Sequence, residues 1–220
     1  MKKPIMKKNI FTFLFFFLSG LLSFAQSSEE ARKILDRFYE SYEQSRGVTF
    51  SFEVTTIDAN GMRYHPQQGE AMMKGDKFKL DLNTAIIWFD GKTQWVLLKG
   101  AGEVNISTPS AKELAFISPL ALLRLYKSGY TLKKPVSAIV NGQSAYVIEM
   151  IPTTSYSDFK QLSVAVDKKT NTILQIKTTL KNNQISIIDI KNYNDNHNFP
   201  DSVFVFNKAE YPDVEVVDLR

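Results

Sequence analysis

The sequence predicts a mainly β protein with helices (α+β), in which about eleven or twelve antiparallel strands and two helices form one domain. First, apolar and polar residues alternate with a period of two through most of the chain after residue 48, as in half-buried strands. Second, turn dipeptides such as Asp90-Gly91 and Asn141-Gly142 separate these runs. Third, two apolar segments without this alternation, near residues 27–46 and 119–127, have helix signals.

The first 25 residues have the three parts of a secretory signal peptide. Four lysines precede residue 9, an apolar run extends from Ile10 to Leu22, and Ser23-Phe24-Ala25 places small residues where a signal peptidase cleaves. A transmembrane anchor is the alternative, but a run of about 13 residues is too short to span a bilayer comfortably. We expect cleavage after Ala25, which leaves residues 26–220 as one domain. No cysteine follows the apolar run, so this pattern excludes a lipid anchor on the chain itself.

Composition argues against several classes of function. The chain has 27 basic and 23 acidic side chains, and four of the lysines lie within residues 1–25, so cleavage leaves 23 of each sign. A nucleic-acid partner is therefore not expected, since binding to phosphates needs a basic surface. The chain has no cysteine, so its stability has to come from an apolar core rather than from disulfides or a thiolate metal site.

The domain is expected to begin with an amphipathic helix that ends near Arg46-Gly47. Ser27 and Glu30 have the spacing of a capping box. The apolar residues that follow at helical spacing are Ala31, Ile34, Leu35, Phe38 and Tyr42. One face of this helix is therefore predicted to be buried.

The first strands follow directly. From Val48 the period becomes two, and the turn Asp58-Ala59-Asn60-Gly61 connects this strand to a partner that ends at Lys74. In the next strand, Phe78 and Leu80 alternate with charged residues, so one face is apolar and the other is polar. The Asp90-Gly91 turn and a return strand follow, and Glu103-Val104-Asn105-Ile106 is the next short strand.

The middle of the chain is predicted to contain a second helix. Ser118-Pro119 fits an N-cap and first helical position, and Gly129 is expected to end the helix after about Lys127. The segment between them has almost no polar face, so it has to be covered or has to cover something. Two interpretations are equally supported: a core helix packed permanently in a curled sheet, or a lid over an apolar cavity.

The second half returns to strands connected by short polar turns. The predicted strands are Val136–Val140, Ala145–Ile151, Gln161–Asp167, Thr172–Leu180, Ile185–Tyr193, Ser202–Asn207 and Val214–Asp218. About eight strands close a barrel that side chains just fill, so about eleven leave an interior that is either plugged or open as a pocket. The two apolar helices are the expected plug.

Catalytic chemistry and cofactors are not expected. His65 and His197 lie far apart in loop-like contexts and are predicted to be exposed, and no Gly-x-Ser-x-Gly motif positions a nucleophile. The polar stretch 189–197 fits an ordinary turn better than a calcium loop. No glycine-rich loop opens a helix, so a phosphate site is also not predicted.

Several elements together resemble the periplasmic lipoprotein carrier family typified by LolA. They are the signal peptide, the leading helix, the segment Gly69-x-x-x-x-Lys74-Gly75-Asp76-Lys77-Phe78-Lys79-Leu80, and Asp90-Gly91-Lys92-Thr93-Gln94-Trp95. The resemblance runs from about Glu29 to Phe204-Val205-Phe206 and Val217-Asp218. It implies an incomplete antiparallel β-barrel of about 11 strands, in which helices form a lid or plug over an apolar cavity.

The resemblance implies a chaperone or carrier in the periplasm that binds lipoprotein acyl chains and ferries them from the inner to the outer membrane. The implied partners are acylated lipoproteins or other lipids, an inner-membrane lipoprotein-releasing transporter and an outer-membrane acceptor. The alternative is a lipid- or lipoprotein-sensing binding module on the same scaffold. Sensors of that kind usually carry a second domain, for which residues 26–220 leave little room, and this favours the carrier.

Strand alternation and the apolar helix give candidates for the lining of the cavity, and the equally supported alternative is that each is an ordinary core residue, because parity alone does not show which face points inward. The candidates are Phe50, Phe52, Phe78, Leu80, Trp95, Leu97, Leu120, Leu123, Val164 and Val166. Family members carry an arginine that holds the lid shut, and the resemblance puts Lys74 in its place, so lid control is assigned to Lys74. Lysine lacks the planar fork of arginine, so the contact is expected to differ.

Overall fold

Most of the chain is organised around β-strands. The computed structural model describes residues 28–118, 121 and 124–220, with helix α1 at 28–44 and helix α2 at Ala111–Ile117. The strands of this part are β1 (Val48–Ile57), β2 (Gln67–Lys74), β3 (Lys77–Leu82), β4 (Ala85–Phe89), β5 (Gln94–Leu98), β6 (Glu103–Ser107), β7 (Tyr130–Leu132), β8 (Val136–Val140), β9 (Gln143–Pro152), β10 (Phe159–Asp167), β11 (Ile173–Leu180), β12 (Ile185–Asn194) and β13 (Glu215–Asp218). Short 3₁₀ helices lie at Leu125–Lys127, Asp201–Phe204 and Lys208–Glu210. Across these residues no helix is long and apolar enough to cross a membrane.

The strands form one open sheet. Its order is β13-β6-β5-β4-β3-β2-β1-β12-β11-β10-β9-β7, and β8 pairs with β9 beside β7. Each half of the chain is a meander, and the antiparallel pairing of β1 with β12 joins the two halves. The mainly β fold with helices and the incomplete, non-closed antiparallel sheet are therefore confirmed, with 13 strands in the described chain rather than about 11.

The strand predictions fail at two places. β7 was not predicted, because a three-residue strand is too short to show a period. The prediction of a strand over Ser202–Asn207 is wrong, since this segment begins with the 3₁₀ helix Asp201–Phe204. Residues 202–207 cross a face of the sheet, where the neighbouring strands already pair with each other. Their backbone therefore has no strand to pair with.

The last strand departs from the meander. β13 pairs with β6 in parallel, with Val216 opposite Val104, whereas an antiparallel arrangement was expected. The chain leaves β12, crosses one face of the sheet as residues 195–214, and reaches the far edge running in the same direction as β6. A crossover of this kind permits parallel pairing, which a tight hairpin does not.

The face of the sheet that carries Phe78 and Leu80, here called the inner face, packs against α1. The residues predicted for the buried side of this helix are all buried: Ala31, Ile34, Leu35, Phe38 and Tyr42. They belong to the same apolar cluster as the inner-face side chains of β1, β3 and β10. α1 is therefore the plug that the strand count required, because it covers the middle of the sheet.

The opposite face, here called the outer face, carries a second apolar cluster. Ile86, Trp88, Leu97 and Val104 form its buried centre. The C-terminal segment, residues 195–214, covers it, and Phe206 and Tyr211 place their rings 5.6 and 5.7 Å from that of Trp88 in edge-on geometry. The first half of the sheet is thus apolar on both faces, which requires a cover on each side.

Gly69 in β2 is predicted to tolerate no side chain. A Cβ at this position would lie 2.6 Å from Cζ of Phe52 and 2.9 Å from the carbonyl oxygen of Asp81. We expect Gly69→Ala to lower the free energy of unfolding by about 1–3 kcal/mol, as overpacking does in other cores. Urea denaturation measures this, and Gly100→Ala, where a Cβ meets nothing within 4 Å, is the matched control. Equal stability of the two variants would show that Phe52 and the Asp81 carbonyl can move to accommodate a Cβ at position 69.

Candidate functional site

The inner face brings together most of the residues predicted to line a cavity. Those that lie buried in its cluster are Phe50, Phe52, Phe78, Leu80, Val164 and Val166. They come from β1, β3 and β10 and belong to the same apolar cluster as the buried side of α1. Because they lie in one buried cluster, the prediction that they share one face of the sheet is confirmed. Their role in binding a ligand stays a prediction.

Trp95 and Leu97 lie on the outer face, so the prediction that they line the same cavity is wrong. In the β4–β5 ladder Trp95 is opposite Trp88 and Leu97 is opposite Ile86, and these partners belong to the outer cluster. Directly opposite residues share a face. Alternation did not reveal the error because both faces of these strands are covered by apolar groups.

A helix that was not predicted, α2, ends just before the predicted lid helix, of which residues 119, 120, 122 and 123 lie outside the described part of the chain. Leu120 and Leu123 lie outside the described residues, but α2 precedes them at Ala111–Ile117. Ser110 and Glu113 form a capping box, which the sequence pattern Ser-x-x-Glu contained and which would have located this helix. Ser118 is also a cap as predicted, since its hydroxyl accepts a hydrogen bond from the Ala121 amide at 3.3 Å. Residues 111–127 are here called the lid segment.

Two ion pairs attach the lid segment to the sheet. Arg124 pairs with Asp76 in the β2–β3 turn, and Lys112 pairs with Asp158 at 2.7 Å, just before β10. All four side chains are at least one third exposed. Pairs of this kind contribute only about 0–1 kcal/mol each, because water screens them.

The Arg124 side chain also packs against α1, but one of its N–H donors is unsatisfied in the described chain. Its guanidinium carbon lies 5.8 Å from the ring centroid of Tyr39 in α1, a cation–π geometry. Its Nε is buried and has no hydrogen-bond partner within the described residues. An unsatisfied buried donor costs free energy. The attachment of Arg124 to the sheet and to α1 is therefore less stable than its ion pair and ring contact alone would suggest.

The end of the lid segment is attached to α1. The Tyr126 hydroxyl donates a 2.6 Å hydrogen bond to Oδ1 of Asp36, and Nζ of Lys127 lies 3.4 Å from the ring centroid of Tyr39. Burial, and then the hydrogen bond to the Asp36 carboxylate, raise the pKa of the Tyr126 phenol. This contact therefore holds as long as the phenol keeps its proton.

Two cavities flank the lid segment. One, of about 210 Å³, lies between α2 and strands β1, β11 and β12, and Phe116, Phe159 and Ile188 are in its lining. The other, of about 160 Å³, lies beside the β2–β3 turn, with Phe78 and Phe89 in its lining. Both are smaller than the roughly 300–1,000 Å³ of typical ligand pockets. Around the described residues of the lid segment, the inner face therefore holds two small cavities.

Lys74 does not contact the described part of the lid segment. Its ammonium donates to the carbonyl oxygen of Phe199 at 2.8 Å and pairs with Oδ1 of Asp201 at 3.0 Å. Because Met73 faces the core, its neighbour Lys74 faces outward. This corrects the assignment of lid control: Lys74 holds the C-terminal segment, and the ion pairs of the lid segment are those of Arg124 with Asp76 and Lys112 with Asp158.

The two histidines differ in their surroundings. His65 is exposed, as predicted. His197 is half-buried, with its Nε2 3.0 Å from Oγ1 of Thr49 and its ring stacked on Phe199 at 5.2 Å. In the described part of the chain no group of three or more His, Asp or Glu side chains is arranged to hold a metal ion.

The chain is similar to known proteins in sequence and in fold. A family model described as "Outer membrane lipoprotein carrier protein LolA" matches residues 21–184, and no curated protein matches the sequence. An uncharacterized conserved protein from Thermus thermophilus is similar in structure, with a TM-score of 0.58 and 11% identity over 86% of this chain and 99% of that one. A LolA superfamily protein from Nitrosomonas europaea has a TM-score of 0.45 and 11% identity over 80% of this chain and 97% of that one. The first likeness shows a shared fold.

The Tyr126 contact predicts a loss of stability in alkaline solution. A phenol whose pKa is higher in the folded chain keeps its proton there while the unfolded chain loses it above pH ~10, so stability falls as the pH rises past that value. We expect Tyr126→Phe to lower the free energy of unfolding by about 1–2 kcal/mol near pH 7 and to reduce its further decline above pH ~10. Urea titrations at a series of pH values measure both effects.

Tyr156→Phe is the control for this titration, because Tyr156 is 91% exposed. It should leave both the stability at neutral pH and the alkaline decline unchanged. An alkaline decline that is as steep in Tyr126→Phe as in the unmodified protein would rule out Tyr126 as a contributor.

Proposed function

Because the chain belongs to the outer membrane lipoprotein carrier LolA family, we propose that it is a periplasmic carrier that encloses the acyl chains of lipoproteins and moves them from the inner to the outer membrane. Residues 1–25 would direct export and be removed, and residues 26–220 would form the carrier domain. The role is binding and release rather than catalysis.

The observation that carries this proposal is the way in which the inner face is covered. Its apolar surface is continuous, but part of the cover is the lid segment, which is held by two solvent-exposed ion pairs and by the hydrogen bond of Tyr126 to Asp36. Breaking the two ion pairs costs on the order of 0–2 kcal/mol, and breaking the hydrogen bond costs about 1–2 kcal/mol more. Burying an acyl chain contributes about 0.8 kcal/mol per methylene, so two ordinary chains contribute on the order of 20 kcal/mol. A ligand of this kind can therefore displace the lid segment, whose own apolar contacts it replaces.

Movement of the lid segment would join the two cavities that flank it. Ser118 borders both of them, so the lid segment forms part of the wall between them. The surface uncovered between them would continue to the buried inner-face residues, and we assign acyl-chain contact to Phe50, Phe52, Phe78, Leu80, Val164 and Val166. α1 stays in place, because its buried side chains hold the core together.

The direction of transport follows from differences in affinity, because a carrier can only shift the acyl chains towards the site that binds them more tightly. An inner-membrane lipoprotein-releasing transporter would free the lipoprotein from the bilayer and load the carrier. An outer-membrane acceptor would remove the cargo. Acylated lipoproteins, or other lipids with similar chains, are the proposed cargo.

Cross-linking the lid segment to the sheet tests this function. The chain has no cysteine, so the double variant Lys112→Cys with Asp158→Cys offers a short bismaleimide two thiols, one on α2 and one beside β10. We expect the cross-linked protein to lose at least tenfold in its uptake of a fluorescent diacylated lipopeptide. The same protein before cross-linking should bind it.

The matched control is Lys99→Cys with Asp81→Cys. This pair also has an Nζ to Oδ1 distance of 2.7 Å, but it lies on the outer face and away from the lid segment. Cross-linking it should leave uptake unchanged. Full uptake by the protein with its lid segment cross-linked, or organic extracts of the purified protein that never contain acylated molecules, would refute the carrier.

The ion pair of Arg124 with Asp76 is predicted to set the rate of opening. We expect Arg124→Met and Asp76→Asn each to speed lipopeptide uptake up to about fivefold, which corresponds to a contact of up to about 1 kcal/mol. The double variant should be no faster than the faster single one, because both changes remove the same contact. Stopped-flow fluorescence measures the rates, and Lys99→Met is the control. Additive effects would mean that the two residues act separately.

A further inference from the structure

A second groove lies on the outer face, between strands β2 to β4 and the C-terminal segment. Its volume is about 690 Å³, within the range of small-molecule sites and larger than either cavity beside the lid segment. Met72, Lys79 and Trp88 are cross-strand neighbours and form its floor. Phe199 and Phe206 are in its wall. The sheet itself separates this groove from the inner face.

Lys79 places an ammonium group in the groove without an ion-pair partner among the described residues. Its side chain is half-buried, and its Nζ lies 5.5 Å from the ring centroid of Trp88. Nearby lysines are paired: Lys74 and Lys77 share Asp201, with Nζ to Oδ distances of 3.0 and 2.5 Å. In the described chain no carboxylate lies within 4.0 Å of Nζ of Lys79.

Glu210 also lines the groove but does not form an ion pair with Lys79. Oε1 of Glu210 accepts a 3.0 Å hydrogen bond from the side-chain amide of Asn207, within the C-terminal segment. The groove therefore combines an aromatic and aliphatic surface with an ammonium group that has no ion-pair partner within 4.0 Å in the described chain. A half-buried cation of this kind gains most from an anion that shares its partly desolvated surroundings.

We propose that this groove is a binding site for an amphiphilic carboxylate, with the carboxylate on Nζ of Lys79 and the apolar body against Met72, Trp88, Phe199 and Phe206. The site does not depend on the carrier function proposed for the inner face, because the two surfaces are on opposite sides of the sheet. Its occupant would also lie beneath the C-terminal segment and would help to hold that segment in place.

The two tryptophans make this proposal testable. The chain has only Trp88 and Trp95, and both lie on the outer face, so tryptophan fluorescence reports on this face rather than on the inner one. Trp95→Phe leaves Trp88 as the single reporter. Titration of this full-length variant with dodecanoate should change the Trp88 emission in a saturable way.

Three comparisons decide the outcome. Adding Lys79→Met should weaken dodecanoate binding by about tenfold or more, because the charge-assisted contact is lost. Adding Lys99→Met instead should not, because Lys99 pairs with Asp81 outside the groove. Dodecan-1-ol, which has the same chain without the charge, should bind more weakly than dodecanoate to the protein that retains Lys79. An unresponsive Trp88, equal affinity in Lys79→Met, or equal binding of the alcohol would each overturn the proposal.

Lipopeptide uptake measured on the same Lys79→Met protein separates this site from the inner face. Uptake should be unchanged. Loss of uptake together with dodecanoate binding would show that the two ligands share one site, and would overturn the assignment of a separate groove.

Discussion

Both faces of the first half of the open sheet are apolar, so this part of the sheet has to be covered on each side, and the remaining elements are arranged to do so. On the inner face the cover consists of α1 and the lid segment. On the outer face it is the C-terminal segment, which packs Phe206 and Tyr211 on Trp88. Neither face could be left to water, because exposed apolar area of this extent costs roughly 25 cal/mol per Å².

The covers differ in how strongly they are held, and this difference connects the fold to its proposed function. α1 contributes a continuous row of fully buried side chains, so removing it would expose the core. Among its described residues the lid segment buries Ala115, Ser118 and Tyr126, and it is held by screened ion pairs and by the hydrogen bond of Tyr126 to Asp36. Displacing the lid segment therefore costs less free energy than displacing α1, and an acyl chain can replace the apolar contacts that the lid segment loses.

The sequence predicted most of the apolar residues on the inner face, but it did not predict the ion pairs that hold the covering segments. Alternation placed Phe78 and Leu80 on one face, and they lie together in the core. The same reasoning misplaced Trp95, because apolar residues on both faces of β5 make the two parities look alike. Lys74 was assigned from a family position, and only the course of residues 195–214 shows that its partner is Asp201.

The sequence by itself determined the elements whose causes are local. These are the buried side of α1, the alternation of most strands, and turns such as Asn141-Gly142, where both residues have positive φ, at 51° and 77°. The tertiary structure alone decided which face of each strand lies inside, that β13 runs parallel to β6, and that Arg124 meets Asp76. The physical reason is that a period or a turn depends on neighbours in the chain, whereas a face and a partner depend on residues that only folding brings close.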